Sequence, residues 1–107
     1  MSNLLHQRCT ALAGGTPMSE AAVRDHLAQV SGWHLNNGAI EKTYSFKNYH
    51  ETISFVNALA WICHREDHHP DLQVGYNRCV VQFSTHSAGG VSLNDVICAA
   101  KAERLFA

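Results

Sequence analysis

No charge of one sign dominates this chain. Eight lysines and arginines stand against nine aspartates and glutamates, for a net charge of -1. Such a balance gives no field to gather a phosphate backbone, so nucleic acid is excluded as the main ligand. Cysteine is scarce and dispersed: Cys9, Cys63, Cys79 and Cys98 form no C-x-x-C pair, which argues against a zinc knuckle or a dithiol redox motif. Cys63 and Cys98 fall in apolar, helix-like runs, where a buried thiol is the natural reading. No apolar run approaches membrane-spanning length, and His6-Gln7-Arg8 breaks the short Leu4-Leu5 stretch before it could form a signal core. The expectation is a soluble, cytoplasmic protein with thiols kept reduced. Internal repeats beyond two hairpins, low-complexity tracts and charge blocks are also missing.

What is present is an ordinary globular mixture, 46% hydrophobic and 16% charged, of a length that supports one core. Residues 1–17 end in Gly14-Gly15-Thr16-Pro17 and read as a loosely ordered leader, with a single domain over 18–107. Ser19 caps a first helix in which Ala22, Val23, Leu27 and Val30 recur at helical spacing until Gly32. Trp33 and Leu35 alternate with polar neighbours. Asn37-Gly38 then signals a tight hairpin, and Ile40, Lys42, Tyr44 and Phe46 share a face of the second strand.

Asn48 and Glu51 have capping-box spacing and open a central helix. Its apolar residues Ile53, Phe55, Val56, Leu59, Ala60, Ile62 and Cys63 cover more than one stripe, which predicts packing on several sides, by the sheet and by another subunit. Leu72, Val74 and Tyr76 alternate as a third strand. Asn77-Arg78 offers a turn, and Cys79, Val81, Phe83 and Thr85 alternate as a fourth, with His86 on the face opposite Phe83. Ser92 caps a last helix with Val96, Ile97, Ala99, Ala100 and Leu105 on its apolar side. The order α-β-β-α-β-β-α predicts an α+β, two-layer domain, an antiparallel four-stranded sheet with helices on one face.

Chemistry concentrates between His64 and Asp95, where four of the eight histidines lie. Histidine titrates nearest neutrality, so several imidazoles aimed at one point exchange protons without metal or cofactor. His68 and His69 precede Pro70, which holds His69 extended. His64, at a helix end, also answers the helix dipole. Asp95 with Ser92 makes an S-x-x-D capping box, and a carboxylate so held is rigid. A metal site built from His64, His68 and His86 is the first alternative, but the H-E-x-x-H order is absent.

Written out, His64-x3-His68-His69-Pro70-x5-Tyr76-x9-His86-x8-Asp95 resembles the active-site signature of the pterin-4a-carbinolamine dehydratases. Trp33, Phe46-Lys47-Asn48-Tyr49, Thr85-His86 and Gly89-Gly90 agree with the family layout from Ser19 on. Cys79 stands where valine is commoner, and His64 where a carboxylate is usual and histidine admitted. The resemblance implies a hydro-lyase that removes water from a 4a-hydroxytetrahydropterin to give the quinonoid dihydropterin, recycling the cofactor of aromatic amino acid hydroxylases. It implies acid/base roles for His68 and His86, a polarising role for Asp95, and pterin binding by His69, Pro70, His64 and Tyr76, with no metal and no cofactor. A homo-oligomer, dimer or tetramer, is implied as well, as is a hydroxylase or transcription-factor partner reached through the apolar 48–64 helix.

Overall fold

The computed structural model describes residues 2–10 and 16–106. Four strands form one sheet: β1 (His34–Asn36), β2 (Ala39–Ser45), β3 (Asp71–Val74) and β4 (Arg78–Phe83). They lie in the order β1-β2-β4-β3, every neighbour antiparallel. Ile40 pairs with Phe83 and Tyr44 with Cys79, which puts Ile40, Tyr44, Cys79, Val81 and Phe83 on one buried face. That period-two burial is what the alternation predicts. Fully burying one such side chain contributes about 1.5–3 kcal/mol. The predicted two-layer α+β architecture is the one observed.

The first hairpin turns at Asn37 and Gly38, whose φ values of 51° and 77° are those a two-residue turn matched to strand twist demands. The second turns one step earlier than expected. Gly75 N–H donates to Arg78 O at 2.8 Å and Phe46 N–H to Asn77 O at 2.8 Å, so β3 stops at Val74 and Tyr76 lies in the loop.

Helix α2 (Glu20–Leu27) is capped by Ser19, whose Oγ accepts from Ala22 N–H. It ends before the predicted Gly32, yet Val30 stays buried because the chain tightens into turns bonded from Gln29 to His26 and from Val30 to Leu27. Helix α3 (Tyr49–Glu66) is capped by Asn48 accepting from Glu51 N–H at 2.9 Å. Thr52, Phe55, Leu59, Cys63 and Glu66 are its buried residues, so within this chain α3 buries one stripe, while Trp61 stands 62% exposed. Helix α4 (Leu93–Glu103) is buried over Asn94 to Ala100 and at Ala102. Its alanines permit the close approach that this enclosure requires. Leu105, expected on its apolar side, lies past its end in a 3₁₀ turn, Arg104–Phe106, and is exposed.

Within the stretch expected as a loosely ordered leader, a short helix α1 (Ser2–His6) places Leu4 in the core. Residues 11–15 of that stretch lie outside the described residues. Glu66 ties residues 8 and 9 down: its carboxylate accepts from Cys9 N–H at 2.8 Å and meets Arg8 Nε at 3.0 Å and Lys101 Nζ at 2.7 Å. Two residues beyond Lys101, at the C-terminal end of α4, Glu103 accepts from Tyr44 Oη, Lys42 Nζ and Trp33 Nε1, which docks that helix on β2.

Burial pushes the Glu66 carboxyl up, but Lys101, the Cys9 N–H and Arg8 outweigh it and bring it down to about 2 from 4.5. A lowered carboxyl stabilises the fold above its ordinary value and loses that contribution as pH falls through the folded one. Protection of the Cys9 amide from hydrogen exchange is therefore expected to hold at pH 5 and to drop between 4.5 and about 2, ahead of amides in β4. Loss in parallel with β4 would contradict this role for Glu66.

Candidate active site

Three chain segments meet beside the sheet. The first is the C-terminal end of α3, closed by Asp67 in the left-handed conformation with φ 52°. His68 N–H reaches back to Cys63 O at 3.1 Å, so the helix end itself swings His68 inward. The second is the stretch past β4, where an antiparallel bridge joins Thr85 to Gly90. The third is the N-terminus of α4, capped by Ser92.

They are joined through Asp95, which is fully buried. Its Oδ1 lies 2.5 Å from His68 Nε2. Its Oδ2 accepts from Thr85 Oγ1 and from Ser92 N–H, both at 2.8 Å. Thr85 has a single hydroxyl proton and commits it to Asp95, so the 2.7 Å contact between the hydroxyls of Thr85 and Ser92 has Ser92 donating. A carboxylate only accepts, and His68 Nε2 must therefore carry the proton that faces it. The tautomer follows: in neutral His68 the lone pair is on Nδ1. Among the described residues Nδ1 has no hydrogen-bond partner, and no buried polar side-chain atom is left unpaired, so Nδ1 is reachable by solvent. The ring lies nearly parallel to that of Phe83, at 11° and 6.0 Å.

His68 separates two cavities. One, of about 410 Å³, has His64, His69 and Pro70 around it and Leu59, Cys63 and Leu72 as an apolar floor. The other, of about 280 Å³, is lined by Thr85, Ser87 and Asn94 and by Cys9 and Thr10 of the leader. Asp67 and His68 border both. A mostly apolar cleft with a few converging polar groups is the usual form of a small-molecule site.

Of the residues singled out in the sequence, the structure brings together His64, His68, His69, Pro70 and Asp95. His64 is exposed and lies against Trp61, ring centres 5.5 Å apart; His69 is exposed beside Pro70. His86 does not follow β4 as expected. The strand ends at Phe83 and His86 opens a 3₁₀ turn, exposed, between Thr85 and Ser87, which do line the smaller cavity. Tyr76 stands apart: its carbonyl accepts from Thr52 Oγ1 at 3.0 Å, at the opposite end of α3, roughly 18 Å along the helix from His64. The residue is 66% exposed. Cys9, Thr10 and Asn94 were missed, because contacts between a leader and a last helix leave no spacing signal. Thr85 carried one in its alternation with Phe83. Among the described residues no group of three or more His, Cys, Asp or Glu is arranged to hold a metal ion, and His64, His68 and His86 do not converge as ligands.

The Asp95 carboxylate raises the His68 imidazole above its ordinary 6.5; burial opposes this and loses. A raised imidazole stabilises the fold fully below its unfolded value and loses that contribution as pH rises through the folded one. By NMR, the His68 ring should titrate above 6.5 in the native protein and at clearly lower pH in Asp95→Asn. Equal midpoints in the two proteins would show that Asp95 does not hold the imidazolium.

The family model for pterin 4 alpha carbinolamine dehydratase matches residues 16–105. A Chromobacterium violaceum protein named as a pterin-4-alpha-carbinolamine dehydratase is 55% identical, over 97% of this chain and 96% of its own. A Nitrosospira multiformis protein of the same name is 48% identical over 99% and 95%. Among solved structures, one from Brucella melitensis, described as a transcriptional coactivator/pterin dehydratase, superposes with a TM-score of 0.80 at 28% identity, covering 84% of this chain and 98% of that one. The chain thus belongs to the pterin-4-alpha-carbinolamine dehydratase family of hydro-lyases.

Proposed function

We propose that this protein dehydrates 4a-hydroxytetrahydropterins to quinonoid dihydropterins by histidine acid/base catalysis, and so recycles the cofactor of an aromatic amino acid hydroxylase. The observation that carries the reading is His68, whose Nε2 is engaged by a buried carboxylate and whose Nδ1 is open. Loss of water requires a proton on the departing C4a hydroxyl and removal of one from the neighbouring ring nitrogen as the C=N bond forms. His68, which the Asp95 carboxylate holds above its ordinary value, delivers a proton from Nδ1 to the leaving oxygen. Asp95 stabilises the imidazolium and fixes the ring.

His86, exposed in the turn after Thr85, takes the second proton. His69, Pro70 and His64 bind and orient the flat ring over the apolar floor of the larger cavity. Tyr76, remote within one chain, has no part in this scheme. The chemistry calls on neither a metal nor a cofactor. The dispersed cysteines, all free, suit a reducing cytoplasm, and no described helix is long and apolar enough to cross a membrane.

A second reading, of a different class, draws on the exposed Tyr49 and Trp61 of α3 and on the description of the Brucella melitensis structure as a coactivator. In it, α3 is the surface for self-association into a dimer or tetramer and for a hydroxylase or transcription-factor partner. The two readings separate in one assay, with the pterin intermediate generated by a phenylalanine hydroxylase in the presence of EDTA. The native protein is expected to accelerate dehydration, and His68→Ala to lose about 100- to 10,000-fold, the usual contribution of a general acid. Partner binding through α3 would survive that substitution. Absence of acceleration by the folded native protein would refute the enzymatic reading.

A further inference from the structure

The acid/base scheme leaves one pair of chemically reactive groups unused. Cys9 Sγ and Cys98 Sγ are 3.6 Å apart, in contact but unbonded. The two thiols differ in access. Cys98 is fully buried on α4, whereas Cys9 is half-buried and lines the polar cavity beside His68 and Thr85. They also differ in acidity. The Cys98 S–H and the nearby His68 charge lower the Cys9 thiol, against burial and the Glu66 carboxylate; Cys98 is pushed up by the same contact and by its burial. Burial raises Cys63 to about 11 and also raises Cys79, which leaves Cys9 as the reactive sulfur.

The mechanical context suits bond formation. A disulfide needs the sulfurs at about 2.05 Å, so the gap has to close by about 1.5 Å. Cys98 is fixed within a buried helix. Cys9 lies in the non-helical part of the leader, held by polar links on either side: Glu66 at residues 8 and 9, and a reciprocal pair between Thr10 and Asn94 at 3.1 and 2.7 Å. Cys9 is therefore the partner that moves.

We propose that Cys9 and Cys98 form a hydroperoxide-modified thiol pair, Cys9 as the attacking sulfur and Cys98 as the resolving one. The Cys9 thiolate attacks the terminal peroxide oxygen; the S–O bond forms, the O–O bond breaks and the alcohol or water departs with a proton. Cys98 then gives up its proton and attacks the Cys9 sulfenic sulfur, and water leaves as the S–S bond forms. In sum, two thiols and one hydroperoxide give one disulfide, one alcohol (water when the oxidant is hydrogen peroxide) and one water. Low-pKa, accessible thiols beside a resolving cysteine are the ones oxidised in this way.

The disulfide takes away a thiol beside His68 and draws the leader wall of the smaller cavity toward α4. Its effect on turnover rests on the proposed dehydratase chemistry; the thiol chemistry itself does not.

The test treats the reduced full chain with one equivalent of hydrogen peroxide. It then counts thiols in denaturant and maps peptides without reduction. The expected result is loss of two of the four thiols, a chain lighter by two hydrogens, a Cys9–Cys98 linked peptide, and full recovery with dithiothreitol. In Cys98→Ala, dimedone should label Cys9 alone. Retention of all four thiols in the native protein, a bond to Cys63 or between two chains, or labelling at another cysteine would overturn the proposal. Dehydration measured on the same reduced and oxidised samples keeps the questions apart: a linked peptide in a protein inactive in both states sinks the dehydratase reading and leaves the thiol pair standing.

Discussion

Burying a carboxylate costs several kcal/mol unless donors compensate its charge, and Asp95 has three, from three different places. His68 comes from the end of α3, Thr85 from beyond β4, and the Ser92 N–H from the cap of its own helix. Removing any one donor leaves a buried charge short of a partner, so the arrangement fixes how these segments sit together. The ring stacked on Phe83 then inherits the rigidity of the sheet. Capping a helix and orienting the His68 ring are here one interaction seen from two sides.

Much of the scaffold was legible because it is written in local chemistry. Asn37-Gly38 requires a turn with positive φ, Ser19 and Asn48 supply side-chain acceptors for orphan helix amides, and the buried face of β4 repeats every second residue. His68, His69 and Asp95 could be picked out from residue type and spacing. The contact of His68 with Asp95 could not, since it depends on how α3 docks against α4. Tyr76 and His86 continue an apolar-polar alternation past the residues, Val74 and Phe83, at which their strands end. At Gly75 and at the Thr85–Gly90 bridge the backbone turns on short-range hydrogen bonds, to Arg78 and between Thr85 and Gly90, that an apolar alternation does not reveal.

The acidic residues that hold the molecule's corners were invisible because their partners lie far off in the chain. Glu66 reads as the polar end of an apolar helix, yet it anchors Arg8, the Cys9 amide and Lys101. Glu103 reads as a surface residue near the C-terminus, yet it gathers Tyr44, Lys42 and Trp33. Each gathers partners scattered along the chain. Through Glu66 and Asn94 the leader becomes a wall of the smaller cavity, so a segment that carries no motif still shapes the surroundings of His68.

The proposed role of His68 as the acid depends on Asp95 holding its imidazolium. The direct measurement is the pH dependence of kcat for dehydration in the native protein and in Asp95→Asn. With His68 as the donor, the alkaline limb of the native profile should lie above pH 6.5 and move to lower pH in the variant, as the imidazolium loses its partner. An alkaline limb that stays in place in a folded Asp95→Asn protein would contradict the account and assign the proton to another group.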